Sequence, residues 1–228
     1  MPVGGRAPDY EDSYHKEVHG RLLESPLYYD LRARQSHEDL FGGVSDQEFT
    51  VFEFGIGLGK NVVRLEHREG LDVSAFARSF CSSKGIRVFD DLGDVPKEAY
   101  DRVLISHVLE HLEQPAEVLR EVRTLLREGG ELLIVLPVER NRSAAVEPDV
   151  HQHLYSWTFQ TLSNLLARTG YEVIENRYRY GTMHYRLRYL GRLHYPSYDR
   201  LVRSLGRLLN RREMVTRAGL ASPGFATG

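Results

Sequence analysis

The chain has 228 residues, 41% of them hydrophobic and 27% charged, with a formal net charge of −2, which fits one folded unit with appended helices and excludes a disordered chain. No apolar run approaches the roughly 18 residues of a membrane span. The N-terminus, Met1 to Asp9, has no signal-peptide core, and the single cysteine, Cys81, excludes an internal disulfide, so a soluble, cytoplasmic protein is expected.

From about Tyr10 to Phe41 the apolar residues recur at helical spacing (Leu22, Leu23, Leu27, Leu31), which predicts two helices broken at Ser25-Pro26. From Phe49 short apolar runs alternate with helical segments, the pattern of βαβ units around a parallel sheet. Strands are expected at Thr50–Phe54, Leu71–Val73, Ile86–Phe89, Arg102–Ser106, Glu131–Pro137 and Tyr171–Ile174. Helices are expected at Lys60–His67, at Ser74–Ser83 behind an N-cap serine, from Ala116 to Leu126 with a stop at Gly129-Gly130, and at Ser156–Arg168. Thr182–Leu190 suits a seventh strand or a helix, and Tyr198–Arg212 reads as helical. The expected fold class is α/β: a Rossmann-like three-layer sandwich with a mostly parallel seven-stranded sheet. Residues 1–45 form an N-terminal helical cap and 46–180 the ligand-binding domain; 181–228 form a basic C-terminal extension that completes the sheet and ends in a flexible tail.

The densest chemical signal is Glu53-Phe54-Gly55-Ile56-Gly57-Leu58-Gly59-Lys60-Asn61, a strand running into three alternate glycines. Such a loop at the carboxyl end of a first strand is where α/β sheets bind nucleotides, because glycine lets the backbone approach a ligand. The dinucleotide fingerprint would put its third glycine where Lys60 stands, and a phosphate loop would need glycine at Phe54 and a hydroxyl at Asn61. The stretch resembles instead the loop of class I S-adenosylmethionine-dependent methyltransferases; the overall pattern, the segment His153-Leu154-Tyr155-Ser156-Trp157 included, is similar to small bacterial enzymes of sugars and natural products in particular. The acid Glu53 agrees with this, since a carboxylate suits a cationic, phosphate-free ligand and would repel a pyrophosphate.

The resemblance extends from Phe49 to Ile174. It implies S-adenosyl-L-methionine as cofactor, with Glu53, Gly55, Gly57 and Gly59 around its methionine half and Asp72 on the ribose; Asp72 as a plain helix-capping acid is the alternative. Only twelve residues separate Gly59 from Asp72, so the first crossover is short. An acid at Asp90 or Asp91, the latter slightly preferred, would lie near the adenine, or else both belong to a solvated turn. Ser106 and His107 would lie beside the methionine half, with His107 a candidate general base. His107-x-x-Glu110-His111 also matches an inverted zincin pattern. That motif belongs inside a helix facing a cleft, whereas this one leaves a buried strand, so no metal is expected.

The segment Asp149 to Trp157 is dense in His, Tyr and Trp. It suits a small-molecule acceptor site, with His151 or His153 as base; a helix-capping histidine and a core Trp157 are the bland alternative. Asp149 with either histidine would make a metal pair without evident further ligands.

From Arg177 onward eleven arginines face only Asp199 and Glu213 and interleave with six tyrosines. Nucleic acid could be bound this way, as could an anionic sugar, nucleotide-linked substrate or carboxylate. The favoured expectation is a strand plus an amphipathic helix whose basic face partners the acidic N-terminal helices or a second subunit of a homodimer. The expected activity is methyl transfer to a small acceptor, with O-methylation of a sugar or natural-product intermediate placed first. An RNA- or nucleotide-modifying methyltransferase and a catalytically silent cofactor-binding scaffold are the alternatives.

Overall fold

The computed structural model describes residues 12–42, 49–139 and 153–222. Helix α1 (Asp12–Glu24) breaks at Ser25, whose hydroxyl accepts from Tyr28 N and caps α2 (Pro26–Phe41), with proline in the first turn where no amide partner is needed. Seven strands follow: β1 (Val51–Phe54), β2 (Arg68–Leu71), β3 (Arg87–Phe89), β4 (Tyr100–Ser106), β5 (Leu126–Pro137), β6 (Tyr171–Tyr180) and β7 (Arg212–Leu220). Between them run α3 (Ala75–Ser82), α4 (Pro115–Arg123), α5 (Phe159–Arg168), α6 (Arg188–Leu193) and α7 (Tyr195–Leu208). The strand order is β3-β2-β1-β4-β5-β7-β6, with β7 antiparallel to both neighbours and the rest parallel.

Period-two alternation divides the strands between two cores. Phe52, Val103, Ile105, Leu132 and Ile134 pack with Leu119, Val122, Leu162 and Leu166 of α4 and α5. Their neighbours Val51, Leu104, Leu133 and Val135 pack with Leu40 and Phe41 of α2 and Cys81 of α3. This is the expected three-layer sandwich.

Four local expectations are corrected. Lys60–His67 is not a helix: its backbone bonds span three residues (Val62 N to Gly59 O, 3.2 Å; Leu65 N to Val62 O, 2.8 Å), apart from Val63 N to Gly59 O at 3.0 Å. The chain must return to the start of β2 at Arg68, and so short a crossover leaves no length for a full helix. Strand β2 ends at Leu71, which puts Asp72 just beyond its tip. Helix α4 stops at Arg123, and Gly129-Gly130 lies inside β5. The seventh strand is Arg212–Leu220, because β6 continues to Tyr180 and needs β7 as a partner along its whole length; of Thr182–Leu190, the part up to Leu187 is irregular and turn and only Arg188–Leu190, the start of α6, is helical.

Candidate functional site

The strand order reverses between β1 and β4, and the loops beyond their carboxyl ends diverge there to open a crevice. A cavity of about 650 Å³ occupies this place, lined by the glycine loop, Asp72, Ser106, His107, the turn after β4, and His15, Val18, His19 and Leu22 of α1. Its volume is that of a small-molecule site.

The floor is a buried polar network. Glu53, 1% exposed, accepts at Oε1 from Asn61 Nδ2 (2.6 Å), and its Oε2 has no hydrogen-bond partner among the described residues. Asn61 Oδ1 accepts in turn from Ser36 Oγ of α2 (2.9 Å) and from Lys60 Nζ (2.9 Å). Burial pushes the Glu53 carboxyl up to about 7; Lys60 and the Asn61 bond oppose the shift and Asp72 adds to it. Burial lowers Lys60 to about 8, with Arg32 acting in the same direction and Glu53 against it.

The loop above this floor is held from three sides. Gly57 N donates to Asp72 Oδ2 (2.7 Å), Tyr29 Oη of α2 donates to Leu58 O (2.7 Å), and Cys81 Sγ lies 3.3 Å from Gly57 O. Gly55, Gly57 and Gly59 all have positive φ, the left-handed region that penalises a Cβ. A Cβ on Gly55 would meet Val108 Cγ2 at 2.4 Å, whereas one on Gly57 would meet nothing within 4 Å. Gly57 therefore presents bare backbone to the cavity.

Asp72 lines the cavity, but its two oxygens also accept from Gly57 N and, at 2.9 Å, from Ser74 N. Each oxygen keeps a second lone pair for a ligand hydroxyl. Ser74 is the N-cap of α3, as its sequence position predicts. Asp90 and Asp91 are not brought into the lining: Asp90 is exposed, 3.9 Å from Arg78, and Asp91 caps a short turn by accepting from Gly93 N at 2.7 Å. Ser106 and His107 do line the cavity, Ser106 with a buried Oγ that has no partner among the described residues.

His107 sits in the left-handed region (φ 57°) at the end of β4, its Nε2 2.8 Å from Glu213 Oε1 and its Nδ1 3.6 Å from Glu110 Oε1. Burial alone would lower its pKa, but the Glu213 and Glu110 carboxylates prevail and raise it above the usual imidazole value. An imidazole facing a carboxylate on each nitrogen holds its own proton firmly and is a poor proton acceptor, which argues against the expected base role. Glu213 arrives because β7 is antiparallel: its first residues lie opposite Pro137 and Arg179, at the carboxyl ends of β5 and β6. Its other oxygen accepts from Arg179 Nε, and Arg179 and His107 hold its carboxyl well below the ordinary range although burial opposes them.

His153 lines the cavity and bonds Glu139 through Nδ1; His151 and Asp149 lie outside the described residues. Trp157 packs against the α4/α5 core. Sequence reasoning did not single out His15, His19, Arg32, Arg179 or Glu213 for the site. Glu213 carried one signal, as one of two acids in an arginine-rich stretch; His19 carried none, and burial now lowers it to about 3, so it is neutral. Arg32 and Arg179 also reach a second cavity of about 370 Å³, lined with Asp39, His184, Arg211 and Arg212, beside the first.

The arginine-rich stretch is anchored within the chain. Arg203 pairs with Asp39 of α2 (2.7 Å) and Asp199 (2.6 Å), Tyr195 Oη donates to Glu38 Oε2 (2.8 Å), and Arg212 stacks over Tyr178. Among the described residues no helix is long and apolar enough to cross a membrane.

A family profile described as a methyltransferase domain matches residues 26–176. The chain is 33% identical over 136 residues to an uncharacterised protein of Mycobacterium tuberculosis, covering 55% of this chain and 47% of that one. It is 29% identical over 144 residues to a phosphatidylethanolamine N-methyltransferase of Cereibacter sphaeroides, covering 56% of this chain and 66% of the other. The chain thus spans about half to two thirds of the length of the curated relatives it matches. In fold it is similar to an S-adenosylmethionine-dependent methyltransferase of Thermotoga maritima (TM-score 0.61, 15% identity, 92% of this chain and 99% of the other). It is also similar to a magnesium protoporphyrin IX methyltransferase of Synechocystis bound to S-adenosylhomocysteine (TM-score 0.62, 10% identity, 93% and 96%).

Proposed function

From the premise that this chain belongs to the methyltransferase-domain family, we propose that it binds S-adenosylmethionine in the 650 Å³ cavity and transfers its methyl group to a small acceptor. The observation that carries this is the Glu53 carboxylate, buried under bare glycine backbone with one oxygen that has no hydrogen-bond partner among the described residues. A buried orphan oxygen costs roughly 1–3 kcal/mol, and a cationic ligand would remove that cost where a phosphate would raise it.

When bound, the cofactor supplies an electrophilic methyl on a sulfonium. Glu53 acts on its positive charge, Lys60 and Arg32 are placed for its carboxylate, Gly57 lets it approach the loop, and the free lone pairs of Asp72 receive ribose hydroxyls. Val73, apolar and exposed at the cavity edge, offers a flat surface beyond Asp72. Ser106 and the His107–Glu213 pair stand on the acceptor side. With the cofactor held there, methyl transfer would join the acceptor's nucleophile to the methyl carbon as the carbon–sulfur bond breaks, leaving S-adenosylhomocysteine, and the acceptor's proton would pass to solvent.

The adjoining cavity supports an acceptor with an anionic group, since Arg32, Arg179, Arg211 and Arg212 outnumber Asp39 and Glu213 in its lining. An acidic sugar or natural-product hydroxyl fits this chemistry, and the internal pairing of Arg203 and stacking of Arg212 favour a small acceptor over nucleic acid. The test is calorimetric titration with S-adenosylmethionine, then a radiolabelled methyl-transfer screen over acidic and neutral hydroxylated acceptors. Uptake of NAD or ATP in place of S-adenosylmethionine would overturn the cofactor assignment.

A further inference from the structure

The turn after β4 and the start of the segment leading to α5 bring three potential ligands together. Glu110, His111 and His153 each place a donor atom within 4.8 Å of the others, and all three line the cavity. Two histidines and a carboxylate form a set suited to a first-row divalent cation with an open position.

Glu110 gives the independent evidence. It is 0% exposed, and neither carboxylate oxygen has a hydrogen-bond partner among the described residues; its only ion-pair partner there is His107 Nδ1, at 3.6 Å. His107 at 3.6 Å is beyond hydrogen-bond reach and compensates a carboxylate so withdrawn from water only in part; a cation in direct contact with its oxygens would supply the rest. The surrounding backbone is built to keep the group assembled. Leu154 N and Tyr155 N both donate to Glu110 O, at 2.8 and 3.3 Å, which ties the residues after His153 to the turn that carries Glu110 and His111. The His111 and His153 rings meet edge to face with centroids 4.8 Å apart. Behind them, Glu139 bonds His153 Nδ1. A carboxylate on one imidazole nitrogen fixes the tautomer that offers the other to a metal.

We propose that Glu110, His111 and His153 bind a divalent transition-metal cation, zinc or a similar ion, with Glu139 orienting His153. This differs from the inverted zincin pattern, because His107 is held by Glu213 and His153 replaces it. Donors around a tetrahedral ion stand about 3.4 Å apart, so closing on the cation needs a contraction of about 1.4 Å, within the swing of the two imidazoles. Resting on the methyl-transfer reading, the cation's role is to take an acceptor hydroxyl at its open position and lower its pKa, work for which the doubly engaged His107 is poorly suited.

The test is titration of chelator-treated protein with Co²⁺, read by visible absorption and by metal content, with S-adenosylmethionine binding measured in parallel. One equivalent of Co²⁺ with intense tetrahedral bands is expected for the wild type. His153→Ala is expected to weaken binding at least 100-fold and Glu139→Gln about tenfold, both with an unchanged circular dichroism spectrum. Substoichiometric Co²⁺ in the wild type, or equal affinity in wild type and a folded variant, overturns the site; if His153→Ala does not fold, Glu139→Gln decides. Cofactor binding without cation binding sinks the metal site alone, and cation binding without cofactor binding sinks the methyl-transfer reading alone.

Discussion

Protonation of Glu53 should control cofactor affinity. The buried carboxyl titrates at about 7 in the ligand-free protein, and a sulfonium and an ammonium placed beside its unpartnered oxygen must pull that value down. If only the ionised form binds, the apparent Kd grows with the protonated fraction. Between pH 7.5 and pH 6.0 it should rise about eightfold, ~1.2 kcal/mol, and binding should expel about 0.9 proton at pH 6.0 against about 0.25 at pH 7.5. Lys60, at about 8, stays mostly cationic in this window. The sign for the empty protein is opposite. A carboxyl whose folded pKa lies above its unfolded value favours the folded state below about 4.5, and that contribution fades as pH rises through 7. Calorimetry in two buffers of different ionisation enthalpy measures both affinity and proton release. A Kd flat across this range, or a Glu53→Gln variant with the wild-type pH profile, would refute the argument.

The glycines separate folding from binding. Gly57→Ala, whose added Cβ meets no protein atom, should cost only about 1–2 kcal/mol of backbone strain yet weaken cofactor binding at least tenfold, whereas Gly55→Ala, driven into Val108 Cγ2 at 2.4 Å, should lower stability as well. Melting temperature and titration on each variant check this, and parallel losses in both would contradict it. Asp72→Ala removes acceptors for two backbone amides and should cost about 2 kcal/mol of stability in urea, with a larger loss in binding than Asp72→Asn. Glu213→Gln leaves Arg179, whose side chain is 7% exposed, without its counter-charge; since the carboxylate itself is partly open, a loss of about 2 kcal/mol is expected, and an unchanged urea midpoint would show the pair to be idle. Arg203→Ala should raise hydrogen exchange in Tyr195–Leu208 without affecting cofactor affinity, because it cuts the tie between α7 and Asp39.

What could be read in the amino-acid order, and what could not, follows from how local each interaction is. The strand, the glycine loop and Ser74 act over a few residues, so the alternation, spacing and capping residue located β1, β4 and α3 closely. Lys60–His67 departs from the helix its apolar spacing suggests because its length is dictated by the distance back to Arg68, a tertiary constraint. Likewise Arg212–Leu220 carries an undistinguished pattern, and only the need to fill the edge between β5 and β6 makes it a strand. Lys60 breaks a dinucleotide fingerprint in plain sight of the sequence, but its position beside Asn61 and Glu53 depends on the turn that stands in place of the helix.

The antiparallel strand explains why the acceptor side was the less legible half. A parallel β7 running the other way would leave its amino end, with Glu213, at the far edge of the sheet, and His107 would face Glu110 alone. Reversed, β7 carries Glu213 and Arg212 to the end where β5 and β6 finish, so residues more than a hundred positions after the glycine loop complete the cavity wall. The same reversal turns the arginine-rich stretch back onto α2, where Asp39 and Glu38 meet Arg203 and Tyr195. The charge asymmetry seen in the sequence is therefore in part a closure device: the helix before the first strand and the helices between β6 and β7 are joined by opposite charges. If the join is structural, raising salt should loosen α6 and α7 in hydrogen exchange while β1 and β4 stay protected; uniform protection at high salt would show that packing of Leu31 against Tyr198 and Val202 holds the closure without the charges.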